Sequence, residues 1–124
     1  MIDIKQMVFS NLKSLSIPIK DNPTQERKQI PYGILKTINV IPENRKNYMK
    51  NNWLLRLDVF SNYKGEKEIL DYYNNEIVPK VKELMKADEI TYINTTCQII
   101  DDKETGPVKK HGVISISVET MEVE

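Results

Sequence analysis

The 124-residue sequence is short of most of what protein chemistry is built from. It has one cysteine, Cys97, and one histidine, His111. A lone cysteine closes no internal disulfide and leaves no thiolate cluster for zinc, which agrees with a reducing compartment. The four glycines, Gly33, Gly65, Gly106 and Gly112, stand apart, so neither a phosphate loop before a helix nor a dinucleotide fingerprint is present. The longest apolar runs, Met7–Phe9 and Trp53–Leu55, have three residues. Runs that short provide no membrane-spanning helix and no signal-peptide core, so the expectation is a protein that stays where it is made, with no membrane partner. Charge of one sign is not in excess either, because 18 Lys and Arg balance 18 Asp and Glu. Without a global field to hold a polyphosphate, the expected partner is protein and no specific nucleic acid.

Apolar residues at 40% and charged residues at 29% suffice for a packed domain with a modest core and exclude a wholly disordered chain. At this length a single domain over residues 1–124 is expected. Asp3 and Gln6 make a capping-box-like pair, and Ile4, Val8, Leu12 and Leu15 recur at helical spacing, which predicts a helix over about 3–15. Residues 16–30, with Pro18, Asp21, Asn22 and Pro23, read as a surface loop. Pro31 to Ile41 read as a strand, with Ile34, Ile38 and Val40 on one parity. Pro42 is expected to stop it, leaving residues 42–52 as a polar loop far longer than a tight hairpin needs.

Trp53, Leu55, Leu57 and Val59 alternate with Leu54, Arg56, Asp58 and Phe60 in the clearest strand of the chain. The acidic turn at Glu66 and Glu68 opens a second helix with the stripe Ile69, Leu70, Tyr73, Ile77, Val81 and Leu84, kinked near residues 75–79 by Pro79. Residues 89–101 and 111–121 make a final hairpin. The predicted fold class is therefore α+β: a single four-stranded sheet, mixed or antiparallel, with two helices on one face, in the order helix-strand-strand-helix-strand-strand. Its core should set Trp53, Leu55, Leu57, Val59, Ile114, Ile116 and Val118 against Val8, Leu12, Tyr73, Ile77 and Val81.

Cys97 and His111 are the only conventional nucleophile and base, at mirror positions about the last turn. No third group orients the base and no electropositive setting activates the thiol, so the expected roles are a buried cysteine and a hairpin-edge histidine. Asp101 and Asp102, adjacent on a strand end, point to opposite faces and suit no metal. No catalytic set, metal or cofactor is expected. One constellation is left: Arg45, Lys46, Tyr48, Met49 and Lys50 in the long loop. Its charge and aromatic ring suit an assembly contact with a neighbouring protein, or alternatively RNA, as in a small RNA-binding α/β module.

Three pieces carry a family resemblance: Pro31-Tyr32-Gly33-Ile34-Leu35 opening the first long strand, Leu57-Asp58-Val59-Phe60-Ser61 before Gly65-Glu66, and Gly112-Val113-Ile114-Ser115-Ile116 in the last strand. With the leading helix, they resemble the tail-completion proteins of long-tailed phages, the tail terminators and tail-to-head joining proteins. The resemblance implies a non-enzymatic virion protein that assembles with itself into a ring homo-oligomer, a hexamer in that family. The ring would cap the tail tube protein and dock on a head connector or completion protein. The implied location is the head-proximal end of the virion tail, and the host cytoplasm during assembly.

Overall fold

The computed structural model describes residues 3–20, 31–44, 46–101 and 108–123. Its first helix, α1 (Ile4–Leu12), begins where the extended backbone of Asp3 lets its carboxylate accept the Gln6 amide at 3.1 Å, which satisfies one orphan donor of the first turn. The Gln6 side chain donates instead to Ser10 Oγ at 3.3 Å, so half of a capping box forms. Ile4, Val8 and Leu12 are fully buried, as their spacing requires.

A five-stranded mixed sheet corrects the expected four-stranded one. Strands β1 (Ile19–Lys20), β2 (Tyr32–Asn44), β3 (Tyr48–Ser61), β4 (Ile90–Asp101) and β5 (Lys110–Val123) lie in the order β1-β2-β3-β5-β4. The added strand, β1, falls in the segment read as a loop. It runs parallel to β2 with Ile19 opposite Gly33, and the Gly33 amide donates to the Pro18 carbonyl at 2.8 Å. Two residues beside a proline carry no alternation, so periodicity has nothing to register there. The remaining neighbours are antiparallel. Since β3 and β4 both run against β5, the helical crossover between them joins strands of one direction.

The segment 42–52 is corrected too. It is no loop: β2 and β3 stay in register as far as Asn44 opposite Met49. Pro42 does not stop β2, because β1 covers only Gly33 and Ile34. Beyond them β2 is an edge strand, where a residue without an N–H is tolerated. A register shift between Thr37 and Asn39 leaves Ile38 as the extra residue of a bulge. It reverses the parity, so Ile34, opposite Asp58, and Val40, opposite Trp53, lie on different faces.

The second helical run comprises α2 (Lys67–Tyr72), a π turn (Tyr73–Ile77), α3 (Val78–Lys82) and a closing 3₁₀ turn (Glu83–Lys86). The Val78 amide reaches back five residues to the Tyr73 carbonyl, which widens the turn by one residue. The buried stripe is therefore Ile69, Tyr72, Ile77 and Val81, with Tyr72 in the place expected for Tyr73. Tyr73 is half-buried, its hydroxyl 2.9 Å from Thr95 Oγ1. The wide turn overlaps residues 75–79, where Pro79 predicts a disturbance, since its missing amide weakens the regular ladder.

Both helical runs cover one sheet face. Leu55, Leu57, Val59, Ile114 and Ile116 are fully buried there against α1 and the second run. Gly112 sets how closely α2 approaches, because a Cβ at that position would lie 2.6 Å from Ile69 Cγ2. Among the described residues no helix is long and apolar enough to cross a membrane.

Candidate functional site

The outer half of the β2–β3 hairpin is an arm. From Lys36 to Lys50 no described residue is buried, yet the ladder to β3 continues and β5 follows as far as Val123 opposite Tyr48. Ordering these residues costs backbone entropy, and of their side chains only half-buried Val40, opposite Trp53, packs against the core. Of the five residues singled out from the sequence, Arg45 lies outside the described residues and Lys46 is exposed in the turn. Tyr48 and Lys50 share the helix-free face, whereas Met49, one residue away, points to the other. The structure thus brings Tyr48 and Lys50 together and separates Met49 from them. Lys50 Nζ lies 3.2 Å from Glu119 and 3.9 Å from Glu43, so its charge is matched within the chain.

A second cluster, which the sequence reading did not assemble, occupies the helix-free face at the other end of the sheet. Asp58 is 4% exposed, and its carboxylate lies 2.7 Å from His111 Nε2 and 2.9 Å from Arg56 Nε and Nη2. The His111 ring stacks on Phe60 at 4.5 Å and 18°, and Phe60 meets Tyr32 at 4.9 Å and 31°. Burial pushes the Tyr32 hydroxyl pKa above its ordinary value. Tyr32, Phe60 and His111 come from three strands and meet because the register aligns them on one row. The alternation of Arg56, Asp58 and Phe60 on one parity was the available signal; which residues of β2 and β5 stood beside them was not in it.

Cys97 and His111 do not form a dyad. Cys97 pairs with Ile114 on the helix-bearing face, while His111 pairs with Ile100, three rungs away on the other face. Burial raises the Cys97 pKa, which leaves the thiol less ionised and poorer as a nucleophile. Asp101 is held by Lys110, and Asp102 lies outside the described residues. Among the described residues no three His, Cys, Asp or Glu side chains stand close enough to hold a metal. A cavity of about 500 Å³ between the helical run and the start of β2 is lined by Ser16, Tyr63, Glu68, Tyr72 and Glu76. Two of its acids are engaged internally: Glu76 accepts the Ser16 amide at 2.9 Å and hydroxyl at 2.6 Å, and Glu68 accepts the Ser61 hydroxyl at 2.5 Å; Asp71 also lines the cavity.

No protein-family model matches the chain, and no curated protein matches it. The arm and the helix-free face are therefore judged on their geometry.

Proposed function

We propose that this chain is a structural virion assembly protein, a tail terminator or tail-to-head joining subunit that acts as a ring at the head-proximal end of a phage tail. The observation that carries the reading is the arm: a long, ordered ladder in which no described residue from Lys36 to Lys50 is fully buried and only Val40, half-buried, packs against the core. A rigid projection of this kind suits reaching a neighbouring subunit or the tube beneath, with Lys46 and Tyr48 on offer at its end and Met49 on the reverse side. Such contacts between unlike surfaces close into a ring when the rotation closes. The partners on this reading are further copies of the chain, in a hexamer if the resemblance holds, the tail tube protein and the head connector or completion protein.

Negative-stain images and native mass of the purified chain, alone and with tail tubes, test the reading. Rings seated on tube ends are the expected result. A chain that neither forms rings nor binds tubes, alone or mixed, refutes it. Fluorescence anisotropy with single-stranded RNA addresses the alternative of an RNA-binding module: tight, salt-sensitive binding would favour that module over the tail protein.

A further inference from the structure

We infer that the free chain forms a dimer in which β4 pairs antiparallel with β4 of a second copy, about a two-fold axis through Thr96. Among the described residues no strand covers the outer edge of β4, so the outward amides and carbonyls of that edge form an open template. Natural sheets guard such edges with charge, proline or a bulge. The free edge of β2 carries all three, in Lys36, Pro42 and the bulge at Ile38. From Tyr92 to Ile100, β4 has no charge, no proline and no glycine, and its one register shift lies before Tyr92. An uncharged, β-branched run of this kind aggregates when it is left open.

The occupant that fits this edge is the edge itself. About Thr96, Thr95 meets Cys97 of the second copy, Asn94 meets Gln98, Ile93 meets Ile99 and Tyr92 meets Ile100. Amide faces amide and apolar faces apolar, each pair occurring twice. On the helix-free face this covers Tyr92 and Ile100, which are 55% and 44% exposed. No like charges meet, since Asp101, already held by Lys110, falls opposite Thr91. Slipping by two residues spoils the match: it sets Asn94 against Ile100 and Ile93 against Asp101, or Tyr92 against Gln98. Slipping by one inverts the second copy and puts its helices on the other side of the sheet. The matched register gives a continuous ten-stranded sheet from the five strands of each copy, closed by roughly ten backbone hydrogen bonds. The inference concerns the free chain and does not rest on the tail-completion reading.

Sedimentation equilibrium of the full chain across the micromolar range, with and without Thr96→Lys, is the test. The expected result is twice the chain mass for the parent and a dissociation constant raised at least about tenfold by the substitution, which sets like charges opposite each other. Register is read by cross-linking in a Cys97→Ser background. Thr96→Cys should oxidise to a covalent dimer, because directly opposed residues have Cα atoms about 4.5–5.5 Å apart, within disulfide range. Asn94→Cys and Gln98→Cys should each fail alone and cross-link when mixed. A parent chain that is monomeric throughout overturns the inference, and so does a dimer or ring indifferent to Thr96→Lys. Rings that cap tails yet ignore Thr96→Lys refute the β4 dimer and leave the tail reading standing; a β4 dimer that binds no tube does the reverse.

Discussion

Asp58 and His111 meet diagonally across β3 and β5, two residues out of register, with 2.7 Å between carboxylate and ring nitrogen, and Asp58 also holds Arg56 while itself almost wholly buried. A carboxylate in that position is satisfied by two neighbours, so removing it takes a partner from His111, which is largely covered, and from Arg56, which is 42% exposed. Asp58→Ala should lower stability by about 1–3 kcal/mol, the scale of a buried polar group losing its partners. In a urea-denaturation cycle with His111→Ala, coupling of at least about 0.5 kcal/mol is expected for residues in direct contact. Additive effects would show that the pair is incidental to stability.

Ile69 of α2 sits over Gly112, where an added Cβ would lie 2.6 Å from Ile69 Cγ2. Gly112→Ala should destabilise by about 1–3 kcal/mol through overpacking, since the new methyl meets the Cγ2 methyl of a β-branched, fully buried side chain. Ile69→Ala alone should cost about 2–5 kcal/mol, because Ile69 is fully buried. The double variant should cost less than the sum of the two, as each change relieves the other. Strict additivity in chemical denaturation would count against this contact.

Tyr72 links pH to stability. Burial first, and the negative charge of Glu76 second, push its hydroxyl pKa well above the ordinary 10.0. The folded chain therefore holds the proton more tightly than the unfolded one. This contribution is fully present below about pH 10 and is lost as pH rises through the folded value, with a slope of at most about 1.4 kcal/mol per pH unit. Tyr72→Phe should flatten the alkaline limb of the stability profile and leave neutral pH little changed, because among the described residues the hydroxyl gives up one hydrogen bond, a 3.5 Å contact with the Ile17 carbonyl. An unchanged alkaline limb would assign that sensitivity to another group.

Shortening the arm separates its two conceivable roles. Replacing Glu43–Lys50 by Asn-Gly closes Pro42 onto Asn51, which already face each other, through a two-residue turn suited to a hairpin. Folding stability should fall by no more than about 1 kcal/mol, since what is lost is exposed ladder and partly exposed ion pairs. Ring formation and tail completion should fail in the same variant. Normal rings and a normal yield of infectious particles would end the case for the arm as an assembly element.

Much of the core was legible before any coordinates. The alternation at Trp53, Leu55, Leu57 and Val59, and again at Ile114, Ile116 and Val118, marks the buried face, and all seven residues are buried. The stripe Ile4, Val8 and Leu12 marks α1 in the same way. Burial against a core imposes a period on the residues that face it, so these elements announce themselves. The arm does not, because a ladder exposed on both sides imposes no hydrophobic period, and polar residues with a proline read as a loop. The placement of Tyr72 also escaped, since one extra residue in a π turn shifts the helical phase without any local mark in the sequence.

By itself the sequence determined which residues prefer the interior, where α1 begins, and that the chain has one cysteine and one histidine. The tertiary structure alone decided the fifth strand, the length of the arm, the row of Tyr32, Phe60 and His111, the separation of Cys97 from His111, and the place of β4 at the end of the strand order. The division has one physical cause. Preference for burial is a property of each residue and its near neighbours, whereas strand order and register arise from contacts between residues far apart in the chain, and a shift of a single residue exchanges the faces on which every side chain of a strand stands.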